Sequence, residues 1–219
     1  MADVVIFGVG DFARLASIYL RDDSDHSVVA FAVDEQYIET PDVLGIPVVA
    51  AEHLAETHPP ERFKTFVAIG FSKVNRARAA VYDRLKAEGY ECISYVHSSV
   101  HRWPETEIGA NCFVFEANVV QPFVRLGNDV ILWSGNHIGH DSVIGDHCFI
   151  ASHVVVSGNC TIGERCFIGV NATLRDGIAI ADDCVIGAGA IILSDTEAGG
   201  VYGAKATEAH SRKSWELRM

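Results

Sequence analysis

The chain contains 219 residues, of which 21% are charged and 49% hydrophobic, and its formal net charge is −12 at pH 7. This length suffices for one large domain or two small domains with buried cores. The acidic balance argues against nucleic-acid binding, which normally needs a basic face. No apolar run approaches the roughly 20 residues that span a bilayer, and the N-terminus lacks the basic segment of a signal peptide. We therefore expect a cytoplasmic protein without membrane insertion.

The first half of the chain predicts a small α/β domain. Short apolar stretches typical of buried strands alternate with helix-like stretches, and this alternation is typical of a parallel sheet. The strands are predicted over residues 4–7, 28–33 and 65–69, and the helices over residues 14–20 and 75–88. We expect these elements to form a Rossmann-like domain over residues 1–98.

A glycine-rich turn joins the first predicted strand to the first helix. It contains Gly8 and Gly10 and ends at Ala13, and the helix N-terminus behind such a turn can bind phosphate through backbone N–H groups. Asp34 follows the second strand, 24 residues after Gly10, near the place of a ribose-binding acid in dinucleotide folds. The predicted domain ends too soon for the second half of such a fold, which favours a nucleotide or nucleotide-sugar over NAD. A glycine turn without a ligand is the alternative.

The second half of the chain has a six-residue period. Fifteen consecutive positions at this spacing hold only Ile, Leu or Val, and they are Ile108, Val114, Val120, Leu126, Leu132, Ile138, Ile144, Ile150, Val156, Ile162, Ile168, Leu174, Ile180, Ile186 and Ile192. This period is the hexapeptide signature of a parallel β-helix. With three hexapeptides in each coil, we predict about five coils over residues 99–200 and a tail over residues 201–219.

Glycines and cysteines keep the same register. A glycine often follows the aliphatic residue, and we expect it to turn the corner of the coil. Five of the six cysteines lie at the fourth position after an aliphatic residue, at 112, 148, 160, 166 and 184. None forms a C-x-x-C pair, so we expect them to be small hydrophobes packed inside the coils rather than metal ligands or redox groups.

The combination of a glycine-turn α/β domain with hexapeptide coils resembles the bacterial sugar acyltransferases. These include the sialic-acid O-acetyltransferases and the N-acetyltransferases that act on UDP-4-amino sugars or GDP-perosamine. The segments that carry the resemblance are residues 5–10, 68–70 with Arg76, 139–145, 158–159, 168–171 and 181–183. They extend over nearly the whole chain, but they separate neither N- from O-acetylation nor one nucleotide from another.

The resemblance implies left-handed coils and a homotrimer that binds coenzyme A in the groove between neighbouring β-helices. It implies acetyl-CoA as co-substrate and a nucleotide-linked sugar as acceptor, docked on the N-terminal domain, with no metal and no NAD. The pathway it implies is the biosynthesis of surface glycans such as lipopolysaccharide.

Four of the ten histidines lie close together in the sequence, at His137, His140, His147 and His153. Asp141 follows His140 in the segment that matches the family's histidine–acid pair. Histidine, which titrates near pH 6.5 in model peptides, can accept a proton from an attacking amine or hydroxyl, and a carboxylate can orient the ring. We therefore predict His140 as the general base and Asp141 as its partner, with the other three histidines solvated or structural.

The other predicted site residues form two groups. The acceptor is expected to contact Gly8, Gly10, Asp11, Asp34, Gly70, Arg76, Trp133 and His137. Coenzyme A is expected to contact Phe149, Gly158, Val170, Ala188, Gly203 and Lys205, with Arg165, Arg175 or Lys205 meeting its phosphates. Gly158 lies 18 residues after His140, so we expect it to leave room for the thioester and to offer its N–H to the carbonyl.

Two positions depart from the family and three other classes compete with it. Phe149 stands where relatives often carry a second histidine, and residues 203–206 lack the usual proline. The rival classes are a β-helix zinc hydratase with three histidine ligands, a non-catalytic nucleotide-sugar sensor and an NAD-dependent enzyme.

Overall fold

The computed structural model describes residues 2–209, Ser211 and Trp215. A small α/β domain is followed by a long parallel β-helix. Within these residues, no helix combines the length and the apolar character that crossing a membrane requires. The predicted tail lies partly outside the described residues, beyond residue 209.

The N-terminal domain is a five-stranded sheet with the strand order β3-β4-β2-β1-β5. Its strands are β1 Asp3–Phe7, β2 Ser27–Val33, β3 Asp42–Val43, β4 Ile46–Ala50 and β5 Lys64–Val67. Its helices are α1 Asp11–Asp23, α2 Leu54–Thr57 and α3 Arg76–Ala87, with 3-10 turns at Glu35–Tyr37 and Ala51–His53. All pairs are parallel except β3 with β4, a hairpin that the sequence pattern did not reveal because its strands are short and only partly buried.

The central strand β1 is buried on both faces of this sheet, because helices cover one face and the β-helix approaches the other. Val4 and Ile6 pack with α1 and with aromatic residues of the β-helix. Val5 and Phe7 point the other way and pack with residues of α2 and α3. This alternation follows from the period of two in a strand, and it fixes which face of the domain meets the β-helix.

The β-helix consists of strands that each contain two residues. They are β6 Tyr95–Val96, β7 His101–Arg102, β8 Glu107–Ile108, β9 Phe113–Val114, β10 Val119–Val120, β11 Arg125–Leu126, β12 Ile131–Leu132, β13 His137–Ile138, β14 Val143–Ile144, β15 Phe149–Ile150, β16 Val155–Val156, β17 Thr161–Ile162, β18 Phe167–Ile168, β19 Thr173–Leu174, β20 Ala179–Ile180, β21 Val185–Ile186, β22 Ile191–Ile192 and β23 Val201–Tyr202. Each strand pairs in parallel with the strand three further along, so that Val119 lies beside His137 and His137 beside Val155. The predicted coil of 18 residues is therefore confirmed.

Three flat faces result from this pairing. We call the seven-stranded sheet from β6 to β23 the covered face, because the N-terminal domain packs on it. We call the six-stranded sheet from β7 to β22 the open face and the five-stranded sheet from β8 to β20 the charged face. Tyr95 and Val96 were expected to continue the α/β sheet, but they form the first strand of the covered face instead.

The interior of the β-helix is filled by the aliphatic residues of the six-residue period. All fifteen belong to one apolar core, in which Ile108 is the partly buried end member. The five cysteines in the predicted register lie in the same core and are at most 1% exposed. Their expected packing role is confirmed, because they fill the interior where a larger side chain would not fit.

We expect the cysteines to be inert in the native protein. All six are free and buried, and burial raises the pKa of the Cys112 thiol to about 12, so almost no thiolate forms near neutral pH. A thiol reagent should titrate six groups after denaturation and essentially none before it. Fewer than six in the denatured, unreduced protein would contradict this packing.

The corners of the coils differ from the expectation. Residues with positive φ occupy the third position after the aliphatic residue, where Asp, Asn, His and Arg are common, as at Asp141 with φ 57°. The glycine that directly follows the aliphatic residue does not turn the corner. A Cβ on Gly139 would lie 2.5 Å from the backbone nitrogen of Gly158, so close approach of successive coils is what requires glycine there.

Candidate active site at the edges of the beta-helix

His140 and Asp141 lie in the turn between β13 of the open face and β14 of the charged face. The Nδ1 atom of His140 is 2.9 Å from Oδ2 of Asp141, and both side chains are 52% exposed. The backbone N–H of His140 donates to the side chain of Gln121, and that of Asp141 to the carbonyl of Pro122. A carboxylate on Nδ1 places the ring proton there and leaves the lone pair on Nε2. The structure thus brings the predicted base and its partner together.

The imidazole of His140 lies directly over Gly158. A Cβ on Gly158 would be 2.7 Å from Nε2 and 2.8 Å from Cε1 of His140. The expected empty space above Gly158 is therefore filled by the imidazole, and that expectation was wrong. The backbone N–H of Gly158 donates to no other residue within 2–209, so it is free to serve as the predicted hydrogen-bond donor to a carbonyl.

Five of the predicted acceptor residues gather at the carboxyl edge of the N-terminal sheet. Gly8, Gly10 and Asp11 follow β1, Asp34 follows β2 and Gly70 lies close after β5. The three strands are neighbours and parallel, and ligands of such sheets bind outside this edge. Gly8 has φ +126° and a Cβ there would lie 2.8 Å from the carbonyl oxygen of Ala68, so glycine is required at that position.

A small hollow of about 100 Å³ adjoins this glycine turn. Its lining residues are Val9, Tyr37, Ile38, Glu39, Thr40, Val43 and Val48. The ring of Tyr37 is 58% exposed and so offers a surface on which a planar base could stack. Asp34 is partly engaged, because Oδ1 accepts a hydrogen bond of 3.1 Å from Arg84.

Arg76 lies elsewhere. Its guanidinium pairs with Asp183 of the β-helix at 2.9 Å, and Asp183 also binds Arg165 at 2.8 Å. These pairs join the N-terminal domain to the last coils. The Arg165 guanidinium lowers the pKa of the Asp183 carboxyl. Of the three cations predicted for the CoA phosphates, Arg165 is thus held in ion pairs, whereas Arg175 and Lys205 are exposed.

A largely apolar cleft of about 370 Å³ lies between the N-terminal domain and the β-helix. It is lined by Phe71, Trp133, Phe149, Ala151, Ser152, Phe167, Gly169, Val170 and Ala188. It therefore unites Trp133 with three residues predicted for CoA, namely Phe149, Val170 and Ala188. His137 lies outside this lining, on the open face, and Gly203 and Lys205 follow β23, also outside it.

Sequence reasoning missed Phe71 and the aromatic stack at this cleft. Phe149 and Phe167 stack with ring centroids 5.6 Å apart, and Phe71 approaches both edge-on or tilted. Trp133 stacks on Phe115 at 4.6 Å, and its indole N–H has no partner within 2–209. The aromatic residue next to Gly70 and the spacing of 18 between Phe149 and Phe167 were the available signals.

The cleft and His140 lie at different edges of one β-helix. The cleft is built on turns that lead from the covered face to the open face, such as residues 133–136 and 151–154. His140 lies in a turn that leads from the open face to the charged face. The width of the open face separates them within one chain.

A fully buried polar network fixes the N-terminal domain on the β-helix. Arg78 is 0% exposed and its Nε donates to Asp129 at 3.0 Å. Asp129 also accepts hydrogen bonds from Asn111 at 2.7 Å and contacts Nδ1 of His147 at 2.9 Å. Arg78 further donates to the carbonyl of Gly70, which begins the loop that carries Phe71. His147 is therefore structural, as predicted.

Other groups considered for metals have different surroundings. His153 lies over Gly135, where a Cβ would be 2.6 Å from Nδ1 of His153. Within the part of the chain that the structure describes, no three His, Cys, Asp or Glu side chains are arranged to hold a metal ion.

Two stretches of the β-helix match family models of hexapeptide repeats. Residues 123–158 match the bacterial transferase hexapeptide of six repeats, and residues 160–194 match the hexapeptide repeat of succinyl-transferase. No curated protein sequence matches the chain. The coils and these matches define a hexapeptide-repeat transferase domain.

Solved structures of similar fold cover nearly the whole chain. PerB from Caulobacter crescentus, in complex with CoA and GDP-perosamine, is 25% identical, with a TM-score of 0.82 over 93% of this chain and 95% of that chain. A histidine-to-asparagine mutant of perosamine N-acetyltransferase from the same organism, with the same ligands, is 25% identical, with a TM-score of 0.83 over 93% and 94%. The acetyltransferase domain of PglB from Neisseria gonorrhoeae FA1090 is 24% identical, with a TM-score of 0.81 over 93% and 97%. The left-handed β-helix and the resemblance to the bacterial sugar acyltransferases are confirmed.

Proposed function

We propose that this protein transfers an acetyl group from acetyl-CoA to an amino group of a nucleotide-linked sugar, as a cytoplasmic step in surface glycan biosynthesis. The observation that carries the proposal is the pair His140–Asp141, whose imidazole Nε2 faces the free N–H of Gly158. The similarity to PerB in complex with CoA and GDP-perosamine supports the choice of substrates. O-acetylation is the alternative reaction.

The chemistry follows from the placement of these groups. The acceptor nitrogen attacks the carbonyl carbon of the thioester, and Nε2 of His140 accepts the proton that the nitrogen loses. The N–H of Gly158 is placed to stabilise the carbonyl oxygen as it gains negative charge. The C–S bond then breaks, and the proton held by the imidazole neutralises the departing thiolate of coenzyme A. Asp141 stabilises the imidazolium in the interval.

The N-terminal domain supports a nucleotide at the carboxyl edge of its sheet. The backbone N–H groups at the start of α1 can receive a diphosphate, and the exposed ring of Tyr37 in the adjoining hollow can stack on the base. Coenzyme A is assigned to the apolar cleft and the residues that follow β23, with Arg175 and Lys205 as the free cations near that end of the β-helix.

A homotrimer is part of the proposal. The site needs the cleft and His140 together, yet one chain holds them at different edges, so a neighbouring subunit is required to bring them side by side. The outward side chains of the open face support this, because none of them is acidic and none is a Lys or Arg. They are His101, Val119, His137, Val155, Thr173 and Ile191. Ile191 is 67% exposed in one chain, which favours burial against a partner.

We expect the mass in solution to be about three times the 23.7 kDa of the chain. Val155→Glu places a charge on the open face and should dissociate the trimer, because an unpaired charge in an apolar interface is costly. Thr161→Glu, on the charged face of the neighbouring strand β17, is the matched control and should leave the mass unchanged. Light scattering distinguishes these outcomes. A wild-type protein that is monomeric at micromolar concentration would overturn the shared site.

The test of the activity is release of free thiol from acetyl-CoA in the presence of candidate acceptors. GDP-perosamine, a UDP-4-amino sugar and a dTDP-4-amino sugar should be compared, with the unaminated nucleotide sugars as controls. We expect thiol release with at least one amino sugar and a mass increase of one acetyl group on the product. Thiol release that does not depend on an acceptor, or no release with any of them, would refute the proposal.

A further inference from the structure

Asp176 lies two coils beyond His140, at the same edge of the β-helix. It is 36 residues after His140 and 18 after Gly158, so the three residues stack in register. Its side chain is exposed. A Cβ built on Gly158 would be 2.7 Å from Nε2 of His140 and 3.0 Å from Oδ1 of Asp176. The imidazole and this second carboxylate therefore meet over the same glycine.

The two groups are close without being bonded. Both atoms lie within about 3 Å of one point, so they are less than about 6 Å apart. Among residues 2–209, however, His140 has an ion pair with Asp141 and none with Asp176. That separation is too long for a direct hydrogen bond, and it is short enough for one nitrogen atom to accept a place between them.

Other acidic residues at this coil spacing have a structural role that Asp176 does not share. Asp146 accepts the backbone N–H of Asn128 at 2.7 Å, and Asp182 accepts that of Glu164 at 2.8 Å, in each case 18 residues earlier. The equivalent donor for Asp176 is the N–H of Gly158, and no such bond forms. Within 2–209 no hydrogen bond or ion pair reaches the Asp176 carboxylate, so it has acceptor capacity to spare.

We infer that Asp176 is a second acceptor for the substrate amine and selects a nitrogen over an oxygen nucleophile. The inference rests on the proposed acetyl transfer. A free amine has two N–H bonds, and it can donate one to Nε2 of His140 and one to Oδ1 of Asp176. Its lone pair then remains free to attack the thioester. A hydroxyl has a single hydrogen and cannot satisfy both acceptors.

The proton balance of the step is unchanged by this contact. The nitrogen forms its bond to the carbonyl carbon, and the proton directed at His140 moves to Nε2 as the C–S bond breaks. The hydrogen directed at Asp176 stays on nitrogen and becomes the N–H of the product amide. Asp176 therefore holds the nucleophile and does not need to change its charge.

The experiment compares Asp176→Ala and Asp176→Asn with wild type, using GDP-perosamine, or whichever amino sugar wild type turns over, and its hydroxyl counterpart, which is GDP-rhamnose for GDP-perosamine. For the amine, Asp176→Ala should lower kcat/KM by about 10- to 100-fold, the effect of losing a hydrogen bond to a charged group. Asp176→Asn retains one acceptor oxygen and should lose less. The affinity for CoA and any turnover of the hydroxyl analogue should stay within about twofold, so the preference for the amine falls.

Two controls separate this role from a structural one. Glu105→Gln removes another exposed carboxylate at the same edge, far along the stack from His140, and should leave kcat/KM unchanged. Asp182→Ala removes a carboxylate that caps a backbone N–H, and it should lower the melting temperature, whereas Asp176→Ala should not. Unchanged turnover of the amine by Asp176→Ala, or an equal loss for amine and hydroxyl, would overturn the inference while leaving the proposed function intact. Wild type that acetylates none of the amines would overturn both.

Discussion

His140→Ala should lower kcat by about 10²–10⁴, the usual cost of losing a general base. The imidazole is exposed, is oriented by Asp141 and presents Nε2 at Gly158, so its loss leaves the attacking nitrogen without a proton acceptor. CoA is assigned to a cleft at another edge, so its dissociation constant should change little. Asp141→Asn should cost less, because it weakens the orientation of the base without removing it.

Steady-state rates of thiol release, together with CoA titration by calorimetry, measure both effects. His53→Ala is the matched control, since His53 also pairs with a carboxylate, that of Glu56 at 3.4 Å, on the N-terminal domain. It should retain full activity. A His140→Ala enzyme with wild-type kcat would mean that catalysis relies on positioning alone or on another histidine, with His137 on the neighbouring strand as the next candidate.

The β-helix could be predicted from the sequence in detail because its contacts are local and periodic. Every coil repeats the same register, so Ile108 to Ile192 could be assigned to the interior without knowledge of the rest of the chain. The same periodicity placed Gly158 one coil from His140 and would have placed Asp176 two coils away. Asp176 was missed because its sequence surroundings contain no motif, and only stacking gives it a neighbour.

The apolar cleft could not be predicted because it depends on how the two domains pack. Phe71 and Phe149 are 78 positions apart in the sequence, yet their rings lie 5.2 Å apart. Hydrophobic pattern shows that both prefer burial but not that they meet. The role of Arg76 shows the same limit, since its position before a helix suggested a ligand contact and its partner is Asp183 across the domain boundary.

The glycines of the repeats illustrate a different kind of error. Their position was read correctly, but their physical reason was not. The left-handed corner residues are mostly Asp, Asn, His and Arg, and Asp and Asn tolerate this conformation better than most residues. Glycine is needed one step away, where the backbone of the next coil leaves no space for a Cβ. Sequence spacing alone cannot separate these two causes.

Arg78→Met should destabilise the protein by about 3–5 kcal/mol, because it leaves the carboxylate of Asp129 as an uncompensated buried charge. Both side chains of this pair are 0% exposed. Arg78 also donates to the backbone carbonyls of Asp129, His147 and Cys148, so the substitution removes hydrogen bonds to the β-helix as well. Unfolding in denaturant at fixed protein concentration measures the change.

The neighbouring residue on the same helix is the control. Arg76 also pairs with an acid of the β-helix, but its side chain is 54% exposed, so Arg76→Met should cost less than about 1 kcal/mol. The double variant Arg78→Met with Asp129→Asn should recover part of the loss, since no buried charge then lacks a partner. Equal effects of Arg76→Met and Arg78→Met would contradict the importance of burial. Since Arg78 holds the carbonyl of Gly70 and the side chain of Asn75, its loss should also free the loop that carries Phe71. We therefore expect folded Arg78→Met protein to bind its ligand at the cleft more weakly, whereas Arg76→Met should bind it as wild type does.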